Sequence, residues 1–324
     1  LRHYLTKVRG NFVPLLHLIL IFMSKENLLI NALQRGNLLN IKNNFYREFL
    51  RQRFIPIIAE DFKEDITSEQ LLKKDILGKA EIIAKQVGVV AGIEETIFLC
   101  NEFGVNAFAL INDGKIVGDN GIIMRLDGST KTILKIERKI LDIISRMSGI
   151  ATMCYNIRKL IDDKIFISAT RKTLLPYLDK KAIFIGGGLT HRLGLWDGVL
   201  IKDNHLEIVR KLKLNLEELL LSYVKLGVRA IEIEVSDERT TMEIIRTINR
   251  VKGVSFIIMF DNIIPAQIKK IIKSVGDTNV IFEASGNITE KNIKEYINTG
   301  VDVVSMGMLT HSVEAFDLSM DIKC

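Results

Sequence analysis

The sequence predicts an α/β protein: a small parallel α/β barrel, preceded by a region of helices and short strands. Three observations carry this. Beyond about residue 160, short apolar runs alternate with amphipathic stretches of helical length. Strands that are apolar on both faces and separated by helices belong to parallel sheets. Six or seven such units in so short a span favour a barrel over an open sheet, and no GxGxxG follows the first run, which disfavours a dinucleotide-binding domain.

Along the chain, "LLINALQRGNLL" and "FYREFLRQRF" place apolar residues three and four apart and read as helices between Met23 and Phe54. From Ile82 to Ile136, runs such as "AEIIAKQVGVVAG", "KIVGDNGIIMRL" and "TKTILKI" are punctuated by glycines and read as short strands with turns. A helix is expected from about Glu137 towards Tyr155. The strands of the second half are "KIFISAT", "DGVLIK", "AIEIEV", "SFIIMFDN", "NVIFEASG" and "DVVSMG". The helices between them include "NLEELLLSYVKLG", "ERTTMEIIRTINRVKG", "PAQIKKIIKSVG" and "TEKNIKEYINTG". The first 22 residues contain an apolar core too short to span a bilayer comfortably. Met23 is the first methionine, so translation is expected to start there or at an alternative upstream start codon, with residues 1–22 a non-native or upstream extension or a cleaved targeting segment.

Composition narrows the function. Apolar residues make up 48% of 324, enough for a sizeable core, and four prolines leave little room for disordered linkers. Three cysteines without a CxxC exclude a disulfide framework or a cysteine zinc site and suit a reducing compartment. The five histidines form no HExxH. A net charge of +6 without a dense basic helix or interleaved aromatics does not describe a nucleic-acid binder.

The chemistry sits where the apolar runs end. The first ends in Thr170, Arg171 and Lys172, the next in Lys202-Asp203-Asn204-His205. The later ones carry Glu232 and Glu234, Asp261-Asn262, Ser285-Gly286-Asn287, and Met306-Gly307-Met308. In a parallel barrel all these strand ends open on one face. Singly, each has a plainer explanation. Arg171 and Lys172 suit surface ion pairs, Gly186-Gly187-Gly188 an ordinary turn, and Asp261-Asn262 a helix cap before Pro265. Recurrence at equivalent positions is what favours a site. Cations come first (Arg171, Lys172, His191, Arg192, Lys202), then carboxylates (Glu234, Asp261), then glycine-bearing turns able to cradle a phosphate. This order suits a phosphorylated sugar, an anionic co-substrate and a hard cation such as Mg²⁺ held at Glu234 and Asp261.

The segments "ATRKT", "AIFIGGGLTHRLGLWDGVLIKDNH", "IEIEVSD", "FDN", "EASGNI" and "TGVDVVSMGMLTHSVEAFDLSM" resemble quinolinate phosphoribosyltransferases, also called carboxylating nicotinate-nucleotide pyrophosphorylases. The likeness continues upstream through "ERKILDIISRMSGIAT", "GVVAG" and, more loosely, "EDFKEDIT", and so spans about Ile55 to Asp321. The combination of GGGxxHR, LIKDNH and SxGxLTHS is specific. The resemblance implies an incomplete α/β (TIM-like) barrel with an N-terminal α+β domain. The implied boundaries are 23–140 for the N-terminal domain, 141–308 for the barrel, and 309–324 for a segment returning to the N-terminal domain. It implies transfer of the phosphoribosyl group of phosphoribosyl pyrophosphate to quinolinate with decarboxylation, using Mg²⁺ in the cytoplasm. The assembly implied is a homodimer, or a hexamer of dimers, with shared active sites and no nucleic-acid or membrane partner.

Carried over by motif, the quinolinate-binding cations fall on Arg171, Lys172, His191, Arg192 and Lys202, with Thr170 beside them. The arginine lent by the neighbouring subunit falls on Arg138. Ribose and metal fall to Glu234 and Asp261, and Lys172, Glu234 and Asp261 take the catalytic roles. The 5′-phosphate falls to Ser285, Gly286, Asn287, Gly307 and His311, and Met306 and Met308 join the substrate-binding residues. The chain departs from the family at a shortened loop after Lys172, at Asn287 where glycine is usual, at Asp142 where asparagine is usual, and in the glycine-poor "EDFKEDIT". Two rivals are a related protein encoded with molybdenum transporters and a non-catalytic anion- or RNA-binding module. The intact LIKDNH opposes the first, and the carboxylates opposite a polyanion oppose the second.

Overall fold

A computed structural model describes residues 24–323, so the expectations for residues 1–22 and a start at Met23 lie outside the described residues. In chain order the first elements are α1 (Lys25–Leu33), α2 (Asn44–Glu60), α3 (Ile66–Leu71), β1 (Leu77–Ala84), β2 (Gly88–Val89) and α4 (Ile93–Glu102). Next come β3 (Asn106–Ala109), β4 (Ile116–Val117), β5 (Ile122–Ser129), α5 (Thr130–Leu160), β6 (Phe166–Ser168), α6 (Pro176–Ile185) and β7 (Val199–Ile201). Then follow α7 (Asp203–Lys211), α8 (Leu216–Lys225), β8 (Ala230–Val235), α9 (Glu238–Ile248), β9 (Ser255–Asp261) and α10 (Pro265–Val275). The last are β10 (Ile281–Ser285), β11 (Val303–Ser305), α11 (Met308–His311) and β12 (Leu318–Lys323). Among the described residues no helix is long and apolar enough to cross a membrane.

The chain divides into two compact units. The sheet-rich first unit takes the chain up to Gln34, Leu160–Arg171 and Leu189–Gly307. The second takes Arg35–Lys159, Lys172–Gly188 and Met308 onward.

The second unit holds an antiparallel sheet in the order β12-β1-β5-β3. β1 alternates, burying Ala80, Ile82 and Ala84 and exposing the residues between, as a strand with one wet face should. The C-terminal β12 completes the sheet by pairing with β1 from Ala84↔Leu318 to Lys79↔Lys323. "TKTILKI" is helical, contrary to the strand reading. The strand stops at Ser129, whose Oγ accepts the Thr132 N–H at 3.1 Å, and Ile133, Ile136 and Ile140 are then buried at helical spacing. α5 therefore runs for 31 residues instead of starting near Glu137. The shortened loop after Lys172 is pinned within this unit. Asp179 is fully buried and takes a bidentate Arg146 pair at 2.7 and 2.8 Å together with the Thr173 hydroxyl.

The first unit holds a wholly parallel sheet in the order β6-β11-β10-β9-β8-β7. β6 and β7 do not pair, so the barrel is open, as an incomplete barrel should be. Leu189 forms a single parallel bridge to Ser168 on the β6 side. The concave face is layered, because residues two apart on a strand share a face. The first layer is apolar: Phe166, Ala230, Ile257, Ile281 and Val303, closed by Leu28, Leu29, Ala32 and Leu33 of α1. Each leucine contributes roughly 1.5–3 kcal/mol by leaving water. Two residues further along the strands come Ser168, Glu232, Met259, Glu283 and Ser305. Two further still come Glu234, Asp261 and Ser285. "TEKNIKEYINTG" forms only a 3₁₀ turn, Ile293–Tyr296. Asn292 Oδ1 accepts the Thr289 N–H at 2.8 Å and Thr289 Oγ1 accepts the Lys291 N–H at 3.3 Å, so side chains there compete with helical bonding.

Candidate active site

The carboxyl ends of the parallel strands bring Asp261, Ser285, Ser305 and Ser168 into adjacent register. The same unit contains Thr170, Arg171, His191, Arg192, Lys202, Glu234, Gly286, Asn287, Met306 and Gly307 of the expected site residues. Met306 is fixed by its N–H to the Ser168 carbonyl at 3.0 Å. Lys172, Met308, His311 and Arg138 belong to the other unit. Arg138 projects from α5 into solvent, 3.8 Å from Asp142.

On the cationic side, His191 adopts a left-handed backbone with φ 55° and is buried. Its Nδ1 accepts the Arg192 N–H at 2.9 Å, while Nε2 lies 3.2 Å from Glu232 Oε2 and 3.5 Å from Glu283 Oε1. The Ser305 hydroxyl also donates to Glu283. Burial opposes a charge on His191, but the two carboxylates outweigh it and lift the imidazole pKa to about 9. Burial likewise raises Glu232, with His191 and Arg192 pulling it down and Glu283 adding to the rise. The Arg192 N–H already occupies Nδ1, so a second ring proton would displace it. The ring proton therefore sits on Nε2, facing the two carboxylates.

Arg192 donates from Nη1 to the Gly198 carbonyl at 3.1 Å, inside a turn closed by the Leu193 N–H on Asp197 Oδ2 at 2.8 Å. Burial holds this guanidinium below its usual range. Glu232 pulls the other way, and repulsion from Arg171 adds to the fall. Two guanidiniums that feel each other's charge suit a doubly charged anion.

On the carboxylate side, Lys202 caps α7 and reaches Glu234 Oε2 with Nζ at 3.1 Å. Glu234 is buried and Lys202 is about half exposed. Asp261 Oδ2 accepts Asn262 Nδ2 at 2.8 Å. Next to it lies a run of positive φ values: Asn262 at 55°, Gly286 at 98° and Asn287 at 51°. The Asn262 N–H donates to the Ser285 carbonyl at 2.9 Å, and Asn287 Nδ2 donates to Asn262 Oδ1 at 3.2 Å. A Cβ on Gly286 would lie 2.2 Å from Asn262 Oδ1, so only glycine permits the β9 and β10 turns to approach this closely.

The Gly186-Gly187-Gly188 run serves packing. A Cβ on Gly186 would meet the Ala151 carbonyl of α5 at 2.6 Å, and one on Gly187 would meet Arg158 Nη1 at 1.8 Å. Arg158 in turn donates to the Gly186 carbonyl at 3.4 Å.

Comparison with known proteins fits this geometry. Residues 65–148 match the N-terminal domain, and residues 150–321 the C-terminal domain, of quinolinate phosphoribosyl transferase. The chain belongs to the quinolinate phosphoribosyl transferase family. A probable nicotinate-nucleotide pyrophosphorylase (carboxylating) of Methanocaldococcus jannaschii is 38% identical over 275 residues, covering 80% of this chain and 91% of the relative. The protein of the same description from Bacillus subtilis is 38% identical over 272 residues, covering 81% and 90%. The structure of the nicotinate-nucleotide pyrophosphorylase from Francisella tularensis superposes with a TM-score of 0.73 at 29% identity, covering 90% of this chain and 98% of that one.

Within this family member, sequence reasoning noted Glu232 without giving it a role and passed over Glu283 and Ser305 as site residues. The signal was present: a carboxylate inside each of the apolar strands "AIEIEV" and "VIFEAS" needs a buried partner. His191 supplies it to both. His191, Glu232 and Glu283 also lie close enough to hold a metal ion, their donor atoms all within 4.8 Å of one another.

Proposed function

We propose that this chain transfers the phosphoribosyl group of phosphoribosyl pyrophosphate to quinolinate with loss of carbon dioxide. The products are nicotinate mononucleotide and pyrophosphate, a pentosyltransferase step of NAD biosynthesis. The family membership supports this reading, and the observation that carries it is the Arg171 and Arg192 pair at the mouth of the parallel strands. Quinolinate presents two adjacent carboxylates, and two guanidiniums that feel each other's charge would offset both their charge and their desolvation. The related protein from the molybdenum-transport context and the RNA-binding module have no observation in their favour.

In this reading Arg171, Arg192 and Lys202 hold quinolinate with its ring nitrogen facing the anomeric carbon. That nitrogen attacks, the N–C bond forms, and the anomeric C–O bond breaks with its electron pair leaving on pyrophosphate. Glu234 and Asp261 stabilise the oxocarbenium-like ribose and orient its hydroxyls. The new pyridinium then accepts the electron pair of the breaking C–CO₂ bond at the adjacent carbon, and a proton replaces the carboxylate. Lys172 and the neighbouring cations steer that proton. The Ser285-Gly286-Asn287 turn takes the 5′-phosphate on backbone N–H groups, with Met306, Gly307, Met308 and His311 contributing. Most of the rate gain comes from positioning and charge.

The family's Mg²⁺ suits the donor set. Glu234 and Asp261 offer hard oxygens, and Lys202 neutralises only one of them. Held by Glu234 and Asp261, the ion would supply positive charge to offset that of the leaving group. The active form in this reading is a homodimer, or a larger assembly of dimers, in which Arg138 of the partner subunit completes the quinolinate site. The reaction is placed in the cytoplasm, in keeping with the buried free thiols Cys100 and Cys154. The test is purified protein with quinolinate, phosphoribosyl pyrophosphate and Mg²⁺, following quinolinate loss with nicotinate as the control substrate. Well-folded protein that consumes no quinolinate would end this reading.

A further inference from the structure

The His191-Arg192 pair divides its labour in a way that family resemblance alone does not assign. We infer that His191 is a positioning residue for Arg192 and not itself a ligand of quinolinate, and that Glu232 and Glu283 are the buried posts that hold it. The inference rests on the proposed reaction.

Both nitrogens of the imidazole are already committed. Nδ1 takes the Arg192 N–H at 2.9 Å, and Nε2 faces Glu232 and Glu283 at 3.2 and 3.5 Å. No donor is left for a substrate carboxylate. Glu283 is fully buried and Glu232 nearly so, and each has one carboxylate oxygen without a partner. Keeping two acids there is costly unless they are needed for geometry. The geometry they secure is specific. His191 sits at φ 55°, in the left-handed region that a bulky side chain seldom adopts. Anchoring its ring inward reverses the chain so that the next residue, Arg192, emerges half-buried beside Arg171, its Nη1 held on the Gly198 carbonyl. Glu232 interacts with both His191 and Arg192, so one acid supports the anchor and the cation together.

The experiment is a double-mutant cycle with H191A, H191N, R192A and H191A/R192A, backed by E283Q. Readouts are kcat and KM for each substrate, quinolinate affinity by calorimetry, thermal midpoint and bound metal. Asparagine tolerates the left-handed backbone and keeps an acceptor near Nδ1. H191N is therefore expected to stay within about fivefold of wild type in kcat/KM for quinolinate, while H191A loses about a hundredfold. H191A should add less than threefold to the defect of R192A, and E283Q should raise the quinolinate KM about tenfold, with the KM for phosphoribosyl pyrophosphate unchanged in both. Fully additive losses, or H191N as defective as H191A in a protein of normal thermal midpoint, would mean direct contact and overturn the inference. So would one equivalent of zinc per chain in wild type that disappears in E283Q. Wild type inert toward quinolinate would instead reject the reaction, and the calorimetric comparison of quinolinate binding would still judge the role of His191.

Discussion

Gly286→Ala tests whether the close approach of the β9 and β10 turns serves the sugar phosphate. At φ 98° an alanine is strained by about 1–2 kcal/mol. Its Cβ would also fall 2.2 Å from Asn262 Oδ1 and 2.8 Å from the Asn262 nitrogen. The nitrogen cannot retreat, because it donates to the Ser285 carbonyl at 2.9 Å. The Asn262 side chain must therefore swing away. That breaks its bonds to Asn287 and Asp261, each worth about 0.5–1.5 kcal/mol. Together the effects amount to about 3 kcal/mol, or roughly a hundredfold if expressed wholly in binding. In steady-state assays, kcat/KM for phosphoribosyl pyrophosphate should fall about 30- to 100-fold. Quinolinate affinity, measured alone by calorimetry, should change less than threefold, because Arg171 and Arg192 are not displaced. A variant within threefold of wild type for phosphoribosyl pyrophosphate would refute the cradle. Equal losses for both substrates would show collapse of the rim instead.

Lys181→Met should cost about 3–5 kcal/mol, because it leaves Glu95, fully buried and now 2.6 Å from Lys181 Nζ, as an uncompensated charge. A thermal midpoint unchanged by this substitution would contradict the buried pairing. Asp113 is held up to about 6 by burial and by nearby Glu95. A raised folded pKa means its contribution is intact below the unfolded value and lost as pH rises through about 6. After allowing for partial solvent contact this is about 2 kcal/mol between pH 4 and pH 7. Asp113→Asn keeps an acceptor for the Ile93 N–H and should flatten that slope in denaturant titrations. Arg138→Ala and Arg171→Ala, each nearly inactive, should recover up to about a quarter of wild-type activity when mixed and allowed to exchange subunits, as measured by quinolinate consumption. No recovery after demonstrated exchange would reject a shared site.

Much of the parallel sheet could be read from the sequence because its strands are apolar on both faces and therefore appear as unbroken runs. The stretch "TKTILKI" misled because alternation over seven residues cannot distinguish a strand from the first turns of a helix. What decides is Ser129 as a cap and the burial of Ile133, Ile136 and Ile140, which only the folded chain reveals. "TEKNIKEYINTG" erred the opposite way, its periodicity defeated by local bonds from Thr289 and Asn292. The glycine run offered an ordinary turn as its plain reading, because a flexible turn and a close helix contact both call for a missing Cβ, and the structure shows the contact at Gly186 and Gly187. Their neighbours Ala151 and Arg158 lie tens of residues away in sequence.

The buried acids show why the rim was easier to read than its support. Residues at strand ends announce themselves by interrupting an apolar run where a strand should stop. Glu232 and Glu283 interrupt runs in the middle, where the expected explanation is a polar face turned to water. In an open parallel barrel that explanation fails, since both faces are covered and a mid-strand carboxylate must find a partner inside. The parallel register sets these acids one layer above the apolar floor closed by α1 and one layer below Glu234 and Asp261. At that depth Glu283 takes the Ser305 hydroxyl of the neighbouring strand, and a partner common to both acids must enter the barrel from its edge. His191 does so, because the bridge between Leu189 and Ser168 carries its backbone alongside β6 and the left-handed turn directs its ring inward. The cost of burying two acids is then the cost of fixing where the next residue, an arginine, emerges.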